Sequence, residues 1–228
     1  MNTNYNINIS VNSTKSYSNK TIPIIIPSLI ESGVNSKNIY VFEGQNYKRE
    51  IIKFSTHTLV KTNHASLDFT GLIDIVENEM ESDYWFHIHD TCRVGKNFWK
   101  LLNNIPNNYP DKIALWTHYS SMNIGLYKYG YLMKHKNKLI KIKNQDYSSE
   151  SIQKLKHWTI NNEDYILYRT EDSPTLLYNP KLIGNGYYIK EEKSWYDGTM
   201  RRIEYYPHLD LYKSKSNFFR KPVYELTL

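Results

Sequence analysis

The segment that decides the fold reads Asp83-Tyr-Trp-Phe-His-Ile-His-Asp-Thr-Cys-Arg-Val-Gly-Lys-Asn-Phe-Trp99. It begins with an aromatic and apolar run, Tyr84 to Ile88, which stops abruptly at His89-Asp90-Thr91. A helical pattern follows from Asn97 to Leu102. Ligand sites in open α/β sheets lie at the carboxyl ends of buried strands. The segment therefore predicts a strand that delivers polar side chains to a functional site.

The chain before this segment has the pattern of a β-α-β unit. Residues Ile7 to Val11 alternate between apolar and polar side chains, which is typical of a strand. A helix is predicted from Thr21 to Gly33, with Thr21 as a candidate N-cap and Gly33 as the stop. Residues Asn38 to Phe42 then form a second apolar strand. This order predicts a sheet with parallel neighbours at its centre.

The remaining patterns complete an α/β half and a mixed second half. Residues Ile51 to Val60 favour a third strand or a hairpin, and Leu67 to Met80 has helical spacing. Later predictions are strands at Lys112 to Thr117 and Tyr165 to Arg169, a helix at Ser149 to Trp158, a loop-rich region at Gly184 to Gly198, and a basic tail at Tyr205 to Phe219. We expect one α/β domain, residues 1–228, with a mixed sheet flanked by helices. Its halves are about 1–110 (α/β) and about 111–228 (α+β).

Composition excludes several classes of protein. The 228 residues include one cysteine, Cys92, so a disulfide framework and a cysteine-rich zinc site are both excluded. We expect Cys92 to be a small buried apolar residue, in a cytoplasmic protein. No run approaches the roughly 20 apolar residues of a membrane helix. Abundant Lys, Asn, Ile and Tyr are compatible with an AT-rich microbe or a large DNA virus.

The net charge of +6 favours an anionic partner. The excess lies mostly in Lys134 to Lys156 and in Arg201 to Lys221. A nucleic-acid-binding protein is one alternative, because tyrosines can stack on bases and lysines can bind phosphates. The sequence has no zinc-finger, helix-turn-helix or RNP-like pattern, so nucleic acid is not the favoured partner.

The order of these elements resembles that of the GT-A glycosyltransferases. In that family a nucleotide-binding α/β half is followed by a DxD-type motif at the end of an apolar strand, and then by an acceptor-binding half. The resemblance covers roughly residues 5 to 130, and His89-Asp90-Thr91 stands where DxD would stand. It implies an enzyme that moves a sugar from a nucleotide-sugar donor to a hydroxyl group of a glycan or protein.

The resemblance also implies which residues bind the donor. The first strand end, the second strand end, the segment from Asn63 to Gly71 and the DxD position would contribute Val11, Asn12, Ser13, Glu43, Asn63, His64, Asp68, His89, Asp90 and Thr91. In the second half, the guanidinium groups of Arg201 and Arg202 are suited to clamp a diphosphate.

The motif departs from the family in its metal ligands. The family typically offers two aspartates to a divalent cation, whereas here Asp90 is the one carboxylate and His89 the candidate second ligand. An imidazole and a carboxylate suit Mn²⁺, and Mg²⁺ less well because it prefers oxygen ligands. A metal-independent enzyme is the alternative, with the leaving diphosphate neutralised by Arg93, Lys96, Arg201 and Arg202.

A catalytic base is needed if the transfer inverts the configuration of the sugar. The candidates are the pair Glu171 and Asp172, followed by Asp197. A retaining reaction would need no such base. A third class of function, a metal-dependent hydrolase, would use His87, His89 and Asp90 as ligands.

Overall fold

The computed structural model describes residues 5–64, 66, 69–104, 111–114, 124–143 and 188–215, which form two β-sheets, five α-helices and a short 3-10 helix (Ser36–Asn38). The helices are α1 (Ser18–Glu31), α2 (Thr70–Glu77), α3 (Phe98–Asn103), α4 (Tyr129–Lys134) and α5 (Lys136–Lys143). The strands are β1 (Ile7–Thr14), β2 (Ile39–Gly44), β3 (Glu50–Lys53), β4 (Thr58–Lys61), β5 (Tyr84–His89), β6 (Cys92–Val94), β7 (Lys112–Ala114), β8 (Gly125–Lys128), β9 (Tyr188–Lys193), β10 (Met200–Tyr206) and β11 (Leu211–Lys215).

The larger sheet has seven strands in the order β3-β4-β2-β1-β5-β8-β7. Strands β4, β2, β1 and β5 are parallel neighbours, whereas β3 and β8 run antiparallel to the strands beside them. Helices cover both faces of this mixed sheet. The predicted α/β class is therefore confirmed, and the arrangement is consistent with a GT-A-like fold.

Side-chain alternation along the central strands separates two cores. In β1, Ile7, Ile9 and Val11 pack with the buried face of α1. Successive side chains of a strand point to opposite faces, so the alternate positions of β1, Ser10 and Asn12 among them, face α2. Strand β5 follows the same rule: Tyr84, Phe86 and Ile88 join the α1 core, and Trp85 joins the α2 core. His87 and His89 therefore share the α2 face.

Helix α1 begins earlier than its sequence pattern predicts. Its first residue is Ser18, and the carbonyl of Tyr17 accepts hydrogen bonds from the backbone N–H groups of Lys20 (2.9 Å) and Thr21 (3.1 Å). Thr21 is therefore not the N-cap, and that prediction was wrong. The helix ends at Glu31, two residues before the predicted stop Gly33, whose φ of 103° is unfavourable for residues with a side chain.

The smaller sheet was not expected from the sequence. It has the order β6-β11-β10-β9, with all its neighbours antiparallel. Strand β9 occupies part of the predicted loop region from Gly184 to Gly198, so that prediction was wrong there. Tyr206, Leu209 and Leu211 pack into the α1 core, which places this sheet against α1. His89-Asp90-Thr91 thus carries the chain from the larger sheet into the smaller one.

Two further predictions concern the burial of Cys92 and membrane-spanning helices. Cys92 is buried, as predicted, and burial raises the pKa of its thiol to about 12. Within the described ranges, no helix combines the length and the apolar character needed to cross a membrane. The predicted helix Ser149 to Trp158 and strand Tyr165 to Arg169 lie outside the described residues.

Substitution of Gly71 by alanine should destabilise the protein, because α2 lies very close to the sheet at this residue. A Cβ atom there would lie 2.6 Å from Ser10 Oγ and 3.0 Å from Phe42 Cδ2, both buried. We expect Gly71→Ala to lower the free energy of unfolding by about 1–3 kcal/mol in urea denaturation, as overpacked cores do. Gly130→Ala is the control: its Cβ would meet nothing within 4 Å, and alanine favours a helix by up to about 1 kcal/mol. Equal stability of the two variants would contradict the proposed close approach.

Candidate functional site

The strand order of the larger sheet reverses between β1 and β5. From β1 the chain builds outwards to β2 and β4, and it then returns to add β5 on the other side of β1. In open α/β sheets, ligands bind outside the carboxyl ends of the strands at such a switch point. Asn12 and His89 are register partners there, and Ser13 and Asp90 follow them. The predicted site residues of the two strand ends therefore lie together.

Asn12 ties the switch point to α2. Its side-chain Oδ1 accepts a hydrogen bond from the backbone N–H of Gly71 (3.0 Å), and its carbonyl accepts one from the N–H of Asp90 (3.0 Å). The Asn12 side chain is buried, and its carbonyl belongs to the backbone of β1. Asn12 thus fixes the first turn of α2 and the polar strand end relative to each other.

Asp90 is held by two hydroxyl groups. Its Oδ2 accepts hydrogen bonds from Ser13 Oγ (2.6 Å) and from Thr21 Oγ1 (2.7 Å). The side chain is 8% exposed, so these short contacts replace much of the hydration that its charge has lost. The role of Thr21 was missed because its position suggested a helix cap.

The two histidines of β5 lie on the other side of the sheet from these hydroxyl groups. His87 is fully buried, and its Nδ1 lies 2.9 Å from Ser10 Oγ. The rings of His87 and His89 are 6.3 Å apart. Asp90 contacts α1, whereas His87 contacts Ser10 on the α2 face. This divergence disfavours the hydrolase arrangement, in which His87, His89 and Asp90 would surround one metal.

The ends of β2 and β4 supply a second group of predicted residues. The carbonyl of Glu43 accepts a hydrogen bond from Thr62 N–H (2.8 Å), which holds the segment after β4 beside β2. Glu43 and His64 are buried, whereas Asn63 is exposed. Nδ1 of His64 lies 2.9 Å from Ser66 Oγ. Asp68 lies outside the described residues.

His64 belongs to a cluster that the sequence analysis missed. Ligand atoms of His64, Asp74 and Glu77 all lie within 4.8 Å of one another, which is a spacing that could suit a metal ion. Burial, with a contribution from Lys143, lowers the pKa of His64 below its usual value. The imidazole is therefore neutral at neutral pH, as a metal ligand must be.

Two basic side chains already neutralise the carboxylates of this cluster. Arg49 binds both oxygens of Asp74, at 2.9 and 3.0 Å, and Lys143 binds both oxygens of Glu77, at 2.7 and 2.8 Å. A divalent cation would have to compete with both, so we interpret the cluster as an ion-pair network that fixes α2. Asp74 was detectable in principle, since it stands alone within the apolar run from Leu72 to Val76.

The predicted diphosphate clamp in β10 has carboxylate partners of its own. Arg201 Nη2 lies 2.5 Å from Asp197 Oδ2, and Arg202 Nη2 lies 3.1 Å from Glu204 Oε1. Hydrogen bonding to Arg201 holds the pKa of Asp197 well below its usual range. A general base works best with a pKa near the working pH, so this environment is unfavourable for Asp197 in that role.

The remaining predicted site residues are Val11, Thr91, Glu171 and Asp172. The side chain of Val11 lies in the α1 core, so at most its backbone can face a ligand. Thr91 is half-buried, and its carbonyl accepts a hydrogen bond from Ser214 N–H (3.1 Å) in β11. Glu171 and Asp172 lie outside the described residues.

Comparison with known proteins gives structural likenesses only. No family model matches the chain, and no curated protein matches it. One similar solved structure is the "crystal structure of a glycosyltransferase involved in the glycosylation of the major capsid of PBCV-1". The match covers 74% of this chain and 80% of that chain, with 14% sequence identity and a TM-score of 0.42. At this TM-score the likeness carries no weight for function, which we argue from the geometry of the chain itself.

Removal of the Arg49 guanidinium should destabilise the protein, because the Asp74 carboxylate is 1% exposed. We expect Arg49→Gln to lower the free energy of unfolding by an amount near the lower end of the roughly 3–5 kcal/mol lost when a buried pair is broken. Lys61→Gln, which breaks the more exposed pair with Glu50, is the matched control and should cost at most about 1 kcal/mol. Adding Asp74→Asn to Arg49→Gln should recover part of the loss. No recovery would contradict an ion-pair role.

The ion pair of Asp197 should appear in the acid limb of the stability profile. A carboxyl group whose pKa is lowered on folding stabilises the protein above its unfolded pKa, about 3.9 for aspartate. That contribution is lost as pH falls through the folded pKa. Asp197→Asn should therefore be less stable than the parent chain by a constant amount above about pH 5, and the difference should shrink below about pH 4. Thermal denaturation between pH 2 and pH 8 measures it. A difference that is unchanged at low pH would contradict the ion pair.

Proposed function

We propose that this chain is a glycosyltransferase that binds a nucleotide-sugar donor at the switch point between β1 and β5. The observation that carries the proposal is the meeting of Asn12-Ser13 with His89-Asp90-Thr91 at the carboxyl ends of these two strands. This is where open α/β sheets bind nucleotides, and it is where the resemblance to GT-A enzymes places the donor.

The donor would lie across the strand ends from β2 to β5. Asn12, Ser13 and Glu43 are held at the ends of β1 and β2, with Asn63 and His64 beside them after β4. Amide, hydroxyl and imidazole groups can bind ribose and base by hydrogen bonds. The acceptor, a hydroxyl group of a glycan or protein, would then approach from the second half of the chain.

A divalent cation at the motif is part of this proposal. Asp90 would supply a carboxylate oxygen, which both Mn²⁺ and Mg²⁺ accept, whereas His89 lies on the α2 face and is poorly placed to share the ion with Asp90. The fit is supported by the orientation of the Asp90 carboxylate, whose Oδ2 is held by two hydroxyl donors. When bound, the ion would neutralise charge on the leaving diphosphate. The protein itself supplies the rigid placement of Asp90 between β1 and α1.

The acid–base assignment favours the pair Glu171 and Asp172 over Asp197. Asp197 is engaged by Arg201 and by Thr199, whose hydroxyl lies 2.8 Å from its Oδ1. These contacts stabilise its charged form and reduce its basicity. If the transfer inverts configuration, we therefore propose Glu171 or Asp172 as the base that deprotonates the acceptor hydroxyl.

A thermal-shift screen of UDP, GDP, CDP and TDP, each with Mn²⁺, Mg²⁺ or EDTA, tests the proposal. A ligand that binds only the folded protein stabilises it by about 2.7 kcal/mol at 100 times its Kd. We expect one nucleoside diphosphate to raise the midpoint and EDTA to remove most of that shift. A shift with metal alone would favour the hydrolase, and no shift with any nucleotide would contradict the transferase.

The variant Asp90→Asn separates the metal role of Asp90 from its structural role. The amide oxygen of asparagine can still accept hydrogen bonds from Ser13 and Thr21, so the fold should persist. We expect nucleotide binding in Mn²⁺ to weaken about 10- to 100-fold, the effect of losing one charge-assisted contact. Asp111→Asn, at an exposed position with a weak ion pair to Lys128, is the control and should bind normally. Undiminished binding by Asp90→Asn would contradict a metal at the motif.

A further inference from the structure

Two buried N–H donors without acceptors belong to neighbouring side chains, one in β6 and one in the loop after β9. Nε of Arg93 and Nε1 of Trp195 are inaccessible to solvent and make no hydrogen bond within the described part of the chain. The two side chains touch, since the guanidinium carbon of Arg93 lies 4.7 Å from the centroid of the Trp195 ring. Buried donors are nearly always paired, and an unpaired one calls for an explanation. Two such donors on touching side chains indicate a place where an acceptor binds.

The position of this pair adjoins the proposed donor site. Arg93 stands three residues after Asp90, so their Cα atoms are within about 11 Å of each other. Its neighbours in β6, Cys92 and Val94, are in the α1 core, so Arg93 lies on the opposite face of the smaller sheet. Ser214 connects the turn before β6 with the loop that carries Trp195. Its N–H binds the carbonyl of Thr91 (3.1 Å), and its Oγ lies 3.4 Å from Ser194 Oγ. Trp195 therefore lies over β6, the strand that follows His89-Asp90-Thr91.

Arg93 differs from the other arginines that the structure describes. Arg49, Arg201 and Arg202 each have a carboxylate within 3.1 Å. The contacts of Arg93 in the described ranges are with aromatic rings, Trp195 at 4.7 Å and Tyr212 at 4.9 Å. Such contacts orient a guanidinium without cancelling its charge. The charge of Arg93 is thus not neutralised by a carboxylate within the described ranges, and its side chain is half-buried rather than fully enclosed.

We infer that Arg93 and Trp195 form an oxyanion-binding subsite that holds phosphoryl or carboxylate oxygens. A guanidinium and an adjacent indole N–H are donors without acceptor capacity, so they select an acceptor of negative charge. The subsite deepens the proposed function and rests on it for the identity of the anion. We expect the bound anion to be the diphosphate of the donor, because the subsite directly follows His89-Asp90-Thr91 in the chain. The carboxylate of an acidic sugar acceptor is the second.

Titration with inorganic pyrophosphate and with glucuronate distinguishes the two sources. The probe is the indole N–H signal of Trp195 in an ¹H–¹⁵N spectrum, assigned as the signal missing from Trp195→Phe. That variant keeps an aromatic ring beside Arg93 and loses the donor. We expect pyrophosphate to shift the signal, and Arg93→Gln to weaken pyrophosphate binding about 10- to 100-fold. A shift with glucuronate but not pyrophosphate supports the subsite and assigns it to the acceptor.

Two further variants control for charge and folding. Lys100→Gln removes an exposed positive charge from the same segment and should bind pyrophosphate like the parent chain. Arg93→Lys keeps a cation beside the rings, so it should fold even if Arg93→Gln does not. It should still bind pyrophosphate about tenfold more weakly, because an ammonium group lacks the planar fork. Full affinity in both Arg93 variants, or no response of the Trp195 signal to either anion, would overturn the inference.

The inference and the proposed function can fail separately. If a nucleoside diphosphate binds to Arg93→Gln as tightly as to the parent chain, and Arg201→Gln binds it weakly, the transferase stands and this subsite does not. If pyrophosphate binds through Arg93 and Trp195 while no nucleoside diphosphate binds, the subsite stands and the transferase does not.

Discussion

The buried carboxylate of Asp90 is the constraint on which the rest of the structure depends. Its Oδ2 binds Ser13 at the end of β1 and Thr21 in the first turns of α1, while its backbone N–H binds the carbonyl of Asn12. A charge that is 8% exposed must be stabilised by such contacts or its burial would be costly. These contacts fix β1, α1 and the turn after β5 in one arrangement.

That arrangement determines how the smaller sheet is attached. The turn that contains Asp90 continues directly into β6, which pairs with β11. The carbonyl of Thr91 binds Ser214 in β11, and the loop after β9 contacts the same serine. The positions of Arg93 and Trp195 therefore follow from the placement of the turn. A proposed metal site at Asp90 and a proposed anion site at Arg93 are parts of one rigid segment rather than separate features.

Local patterns in the sequence predicted most strands around the site but few of its contacts. Strands β1, β2 and β5 were found within a few residues, because alternation and apolar runs are properties of neighbouring residues. The partners of Asp90 lie 69 and 77 residues away, and no local period connects them. Thr21 was therefore interpreted as a cap. Strand β9 was missed because its sequence, Tyr-Ile-Lys-Glu-Glu-Lys, has a charged run without alternation.

The same limitation explains why the sequence pointed to Arg201 and Arg202 rather than to an arginine without a carboxylate partner. Arg201 and Arg202 are neighbours in sequence, but successive residues of a strand face opposite sides, so they are poorly placed to grip one anion together. Each also meets a carboxylate nearby in the chain, Asp197 or Glu204. A net charge of +6 counts such neutralised groups along with free ones. Arg93 is distinguished by its aromatic surroundings, which preserve its charge for a ligand, and only the folded structure shows them.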